Sequence, residues 1–242
     1  MSVFILKIIA VISMAVDHMG YVLFNNLEWM RIVGRLAFPI YAFLIANGFR
    51  KTRSTPKYLT KLGLFALISE IPADLAFYGK TFYFGYQNIY FTLFIGLAVL
   101  MLAETTKKMI FKGKLSQKTA ASQLAFALCA LPWLAIGMYV AEKLNCDYGW
   151  CGVLAITLFG LAGEDKALST LACTVNSIAV GARFGALNYF AIFAAIPISM
   201  YDGSYGIAPS IEKHKYAKTA VKYSFYAFYP LHLIVLWLIK II

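Results

Sequence analysis

Nine apolar runs, each divided from the next by a short polar or basic stretch, set the pattern of this 242-residue chain. They cover Val3 to Phe24, Trp29 to Phe49, Tyr58 to Tyr78, Asn88 to Ala103, Ala121 to Ala141, Tyr148 to Gly163, Ala167 to Val180, Phe184 to Met200 and Tyr223 to Ile242. The runs are continuous rather than alternating, which predicts helices and not strands. Several reach the ~20 residues a helix needs to cross a hydrocarbon core of roughly 30 Å. The sixth and seventh are shorter and suit tilted, re-entrant or buried segments. Because lipid admits only helices and closed barrels, the chain reads as an all-α polytopic membrane helical bundle of about nine transmembrane helices, with residues 1–242 forming one membrane domain.

Composition strengthens that reading: 61% hydrophobic residues and a mean hydropathy of +0.72 exclude an ordinary soluble domain. The net charge of +11 would suit a nucleic-acid binder, but the basic residues lie between apolar runs without interleaved aromatic motifs, so no nucleic acid is expected. They serve better as topology signals. A cytoplasmic N-terminus places Lys7, then Arg50, Lys51, Arg53, Lys57 and Lys61, then Lys107, Lys108, Lys112, Lys114 and Lys118, then Lys166, then Lys213, Lys215, Lys218 and Lys222 inside. Of the 22 basic residues only Arg31, Arg35, Lys80, Lys143, Arg183 and Lys240 are left for the outer half. This bias predicts a multi-pass protein of the cell (inner) membrane. The first run lacks a basic leader and a small-residue cleavage site, and is expected to be the first span rather than a signal peptide.

The longest loop is expected from Tyr201 to Lys222, irregular at Gly203, Gly206 and Pro209, with its basic half against the anionic leaflet. Cys129, Cys146, Cys151 and Cys173 show no metal-type spacing and default to small buried residues. Cys146 and Cys151 flank a turn, which leaves a disulfide open. No metal is expected.

Candidate chemistry lies where ionisable groups enter apolar runs, since each is costly to desolvate. Asp17 and His18 sit deep in the first run, His18 roughly 22 Å from its start at 1.5 Å per residue. Their side chains diverge by about 100° on a helix, so Asp17 is expected to pair with a basic group on another helix. Arg31 and Arg35 share a face, and Pro39 frees a carbonyl near Arg35 where the helix can kink around a cavity. Glu70, Asp74, Gln87, Asn88, Asp147 and Tyr148 fall at the same outer level. His232 lies midway along the last run. Plainer readings stand beside these: Arg31, Glu28 and Asp74 as interfacial charges, Asp17, His18 and Arg35 as a structural salt bridge that holds helices together, His232 as a structural donor to a carbonyl, and His214 as a solvated loop residue.

In order, Asp17-His18-Met19-Gly20, Gly34-Arg35-Leu36-Ala37-Phe38-Pro39 with Gly48-Phe49-Arg50, Ser69-Glu70-Ile71-Pro72-Ala73-Asp74, Gln87-Asn88, Asp147-Tyr148-Gly149 and Phe228-Tyr229-Pro230-Leu231-His232-Leu233 resemble the TraX family over nearly the whole chain. That family takes its name from a conjugative-plasmid protein that N-acetylates pilin, and it is similar to membrane acyltransferases that use acyl-CoA. The resemblance implies acyl transfer from cytoplasmic acetyl-CoA or another acyl-CoA to an acceptor at or across the membrane, with His18 the catalytic residue. One departure is Tyr201-Asp202-Gly203, where the resemblance leads one to expect Asn before the glycine.

On this basis His18 is expected as general base, Arg35 as donor to the oxyanion, and Asp17 as the group that holds them. Glu70, Asp74, Gln87, Asn88, Tyr148 and His232 are expected around the acceptor. Arg50, Lys51, Arg53 and Lys57 form the landing patch for the anionic CoA nucleotide, although the positive-inside rule accounts for them equally. The acceptor is expected to be a protein N-terminus, a glycan or a small molecule; membrane lipids are further partners, and oligomerisation is left open. The same buried charges would also suit a proton-coupled small-molecule transporter or flippase, or a structural assembly subunit.

Overall fold

The computed structural model describes residues 1–112, 119–207 and 214–242. Its helices are α1 (Val3–Val22), α2 (Glu28–Gly34), α3 (Ala37–Lys51), α4 (Thr55–Tyr78), α5 (Ile89–Phe111), α6 (Ala120–Lys143), α7 (Gly149–Ala162), α8 (Lys166–Phe184), a 3-10 helix (Ala186–Ala194) that runs into α9 (Ala195–Ser199), and α10 (Lys215–Ile241). Side-chain caps start several of them: Ser2 accepts from Ile5 N at 3.3 Å, and Ser54, Asn88, Thr119 and Asp165 do the same for α4, α5, α6 and α8. Each cap satisfies a backbone donor that the helix leaves unpaired.

The nine apolar runs each become a helical segment, with two breaks. The second run divides into α2 and α3 at Arg35 and Leu36, next to Pro39. The eighth divides into the 3-10 helix and α9. Among the described residues six segments are long and apolar enough to cross a membrane, α2 and α3 counted together: Val3–Val22, Glu28–Lys51, Ile89–Phe111, Ala120–Lys143, Lys166–Phe184 and Tyr216–Ile241. The seventh run is longer than expected, extending to Phe184. The last begins at Lys215 and not Tyr223, so Lys218 and Lys222 stand on a helix rather than in a loop. Lys114, Lys118, Pro209 and Lys213 lie outside the described residues.

The centre is α3 and α7, packed on each other and on α5, while α1 and α10 close one side with α4. Between lipid-bathed helices there is little hydrophobic driving force, so close backbone approach supplies the attraction. Gly152 and Gly160 of α7 face α5, where an added Cβ would meet Thr92 at 2.3 Å and Leu100 at 2.4 Å. Prolines free carbonyls that other groups take up. Pro230 has no N–H for Tyr226 O, and the Tyr90 hydroxyl donates to that oxygen at 3.0 Å, tying α5 to α10. All four cysteines are free and buried.

Candidate functional site

Asp17 organises the deep end. Its Oδ1 accepts from Arg35 Nη2 at 2.5 Å and its Oδ2 from Arg31 Nη1 at 2.8 Å, so one carboxylate bridges two guanidinium groups from the broken second span. Gly34 makes room for this: a Cβ there would fall 2.2 Å from Asp17. Arg35 is spread over three partners, donating also from Nε to Arg31 O at 3.1 Å and from Nη1 to Asn188 Oδ1 at 2.9 Å. Arg31, an interfacial charge on one reading of the sequence, is half-withdrawn into the site, its side chain 19% exposed and stacked over Tyr21.

His18 has a different partner. Its Nδ1 lies 2.7 Å from His232 Nε2, and His232 Nδ1 lies 2.8 Å from Phe228 O. A carbonyl can only accept, so His232 carries its proton on Nδ1 and its Nε2 is an acceptor for neutral imidazole. His18 then donates from Nδ1, which leaves its Nε2 lone pair available. Among the described residues no hydrogen bond reaches that Nε2, and it is not among the fully enclosed unpartnered atoms. It faces a cavity.

That cavity has a volume of about 1110 Å³ and runs between two chemically distinct ends. One end is lined by Asp17, His18, Arg31, Arg35, Tyr86, Asp147, Tyr148 and Asn188; the other by Lys7, Lys51, Arg53, Lys57, Lys61, Lys218 and Lys222. The carboxylates among its lining residues, Asp17 and Asp147, both belong to the first end. At the basic end like charges crowd together, with Lys61 and Lys222 in side-chain contact and Lys7 within the field of Lys222. The middle is aromatic, with Tyr41, Tyr58, Tyr90 and Tyr226 on its walls. Lys7 and His18 stand on one helix, about 16 Å apart at 1.5 Å per residue.

Asp147 and Tyr148 are held by the chain around them. Gln87 N donates to Asn145 O at 3.0 Å and Asp147 N to Gln87 O at 3.0 Å, while the Thr92 hydroxyl donates to Asp147 O. Tyr148 takes a left-handed conformation, φ 60°, uncommon for a bulky residue, and stacks on Phe38 with centroids 3.9 Å apart. Asp147 Oδ1 accepts from the Tyr86 hydroxyl at 2.9 Å. Burial pushes the Asp147 carboxyl above its ordinary range.

Of the residues singled out from the sequence, Asp17, His18, Arg35, Tyr148, Lys51, Arg53 and Lys57 line the cavity. Glu70, Asp74, Gln87, Asn88, His232 and Arg50 do not. Glu70 accepts from Asn88 N and Nδ2, clamping α4 to α5. Asp74 accepts from Tyr83 N at 2.7 Å. Gln87 acts through its backbone, His232 stands behind His18, and Arg50 donates to Phe159 O at 3.1 Å near the end of α7. Lys51 is partly committed, donating to the Tyr201 hydroxyl at 2.7 Å and to Gly203 O at 2.8 Å. In the Tyr201-Asp202-Gly203 turn the aspartate accepts from Ser204 N at 2.8 Å and Gly203 has φ 84°, so Asp supplies the turn chemistry at that place. Sequence reasoning gave no site role to Asn188, Tyr86 or Lys7. A lone Asn in an apolar run, or a Tyr in a short loop, carries no signal of direction.

Fold and chamber together define a multi-pass helical membrane protein with an imidazole, a carboxylate and paired guanidiniums buried at the far end of a passage that opens among cations. The chain belongs to the TraX protein family, whose profile matches residues 2–240. It is 25% identical over 256 residues to a probable fimbrial assembly protein, FimC of serogroup H1, from Dichelobacter nodosus, covering 97% of this chain and 94% of that protein. It is also 27% identical over 172 residues to an uncharacterized protein of Rickettsia prowazekii (strain Madrid E), covering 71% of this chain and 60% of that one. No solved structure matches.

Proposed function

We propose that this protein is a membrane acyltransferase that takes an acetyl or other short acyl group from cytoplasmic acyl-CoA and passes it to an amine or hydroxyl. One observation carries this reading: a single continuous cavity joins a cluster of cations to the unpartnered Nε2 of His18. The cations suit the phosphates of a CoA nucleotide. The aromatic middle suits its pantetheine arm, and the length of α1 from Lys7 to His18 suits its extended reach. Membership of a family that includes a probable fimbrial assembly protein is consistent with a protein acceptor.

In the proposed reaction His18 Nε2 removes the proton from the acceptor nucleophile as that atom attacks the thioester carbonyl. The oxyanion that forms is met by guanidinium N–H groups of Arg31 and Arg35, which Asp17 holds in place. Collapse breaks the C–S bond, and the proton returns from His18 to the departing thiolate. His232 is a positioning residue, fixing the tautomer in which His18 is a base.

The test is purified protein in nanodiscs supplied with radiolabelled acetyl-CoA and a panel of small amines and alcohols. Label should move to an acceptor and free CoA thiol should appear, both abolished by His18→Ala. Acetyl-CoA turnover equal in wild type and His18→Ala would overturn the reading.

A further inference from the structure

A second, smaller cleft of about 220 Å³ lies against the deep end of the main cavity, lined by Gly85, Tyr86, Glu142, Asn145, Cys146, Arg183 and Phe184. Tyr86 and Phe184 line both spaces and so form the wall between them. Its chemistry differs from that of the basic mouth. An ion pair between Arg183 and Glu142, 2.5 Å long and 31% and 45% exposed, stands on its outer side. Behind Tyr86 is Asp147, which among the described residues forms no ion pair within 4 Å; its carboxylate lies in the field of Arg35 and accepts from the Tyr86 hydroxyl at 2.9 Å and from Tyr148 N.

We infer that this cleft is the acceptor's way in, with Tyr86 as its door, and that it admits the narrow end of a water-borne molecule bearing an amine or hydroxyl. The inference rests on the acyltransferase reading. A donor threaded from the lysines fills the passage between them and His18, so the acceptor needs a separate path to the same imidazole. The cleft supplies one from the opposite end of the bundle. It is too small for a nucleotide and large enough for a small polar head. Past the Glu142–Arg183 pair, Asp147 is the carboxylate that such a head meets at the wall: an N–H or O–H of the incoming nucleophile replaces the Tyr86 hydroxyl on Oδ1. No residue has to change its charge for the exchange. The backbone beside Tyr86 is held, with Tyr83 N on Asp74 and Gln87 paired to Asn145 and Asp147, so the door opens by turning the Tyr86 side chain and no helix is disturbed.

The experiment reads access, not transfer. In a background with Cys129, Cys146, Cys151 and Cys173 replaced by alanine, Met14→Cys places a thiol on the wall of the main cavity. A small, membrane-impermeant, cationic methanethiosulfonate reagent is then applied to either face of sealed proteoliposomes of known orientation. From the lysine face the thiol should label at the same rate whatever residue is at 86, which also reports a folded cavity. From the opposite face labelling should be slow with Tyr86 and at least about tenfold faster with Tyr86→Phe, which removes only a hydrogen bond to a charged group. Tyr86→Ala should be faster again. Acceleration in Tyr86→Ala alone keeps the route and assigns the barrier to the ring. A far-face rate that neither substitution changes overturns the inference. Because labelling needs no thioester, a protein that fails to transfer acetyl but shows this pattern loses only the acyltransferase reading.

Discussion

The imidazoles of His18 and His232, from the first and last helices of the bundle, lie nearly parallel with Nδ1 and Nε2 2.7 Å apart. Only one of the two rings lines the cavity. The other passes the direction set by Phe228 O through to His18 Nε2, which in the proposed reaction is the role of a group that orients a general base. His232→Ala should therefore lower kcat by about 10²-fold, a typical contribution of acid–base catalysis, and leave KM for the acyl donor unchanged. His232→Gln, whose side-chain oxygen can accept from His18 Nδ1, should restore part of the rate. Steady-state kinetics with a shifted pH–rate profile would separate this from loss of folding.

Removing Asp17 takes away the carboxylate that bridges Arg31 and Arg35. Breaking one member out of a buried ionic group costs about 3–5 kcal/mol. Asp17→Asn should lower the thermal midpoint in detergent sharply. Gly34→Ala should do the same although it touches no charge, because the new methyl would occupy the space of the Asp17 side chain.

At the basic mouth, Lys61→Ala and Lys222→Ala should raise KM for acyl-CoA, leave kcat unchanged, and flatten the salt dependence of donor binding. Arg50→Ala should behave differently. Its guanidinium holds the end of α7 and not the cavity, so the loss should appear in stability and not in KM.

Burial raises the Asp147 carboxyl above its usual value of 3.8, which has a sign that can be checked. In the window between that value and the higher folded one the native state binds the extra proton, so stability present at low pH is lost as pH rises through it. Thermal unfolding of wild type and Asp147→Asn over a pH series should show a steeper slope in wild type, the remainder in the variant coming from Glu70 and Asp74, whose carboxyls burial also raises.

Level along the spans was legible in the sequence, because it needs only a count of residues: Asp17 on α1 meets Arg31 and Arg35 of the second run, the basic partners its position called for. The break after Gly34 had its signal in Pro39. Direction around a helix was not legible. Glu70 and Asp74 share the level of Arg35, yet one turns to Asn88 and the other to Tyr83, since a level says nothing about which neighbour a face meets. Arg31 went the other way, drawn inward because α2 ends in a turn that the hydropathy pattern runs straight through. The lysines at 7, 61, 218 and 222 were hidden for a related reason: they satisfy the positive-inside rule, so nothing in the sequence asked for a further role.

That Lys7 and His18 ride on one unbroken helix makes α1 a rigid gauge. Adding a single residue between them would turn the imidazole by about 100° and carry it away from His232 as well as from the cavity. In the proposed reaction a tether anchored at the lysines would reach His18 Nε2 over a span that this helix sets, with Phe77 packed on the imidazole and Tyr78 on the same wall.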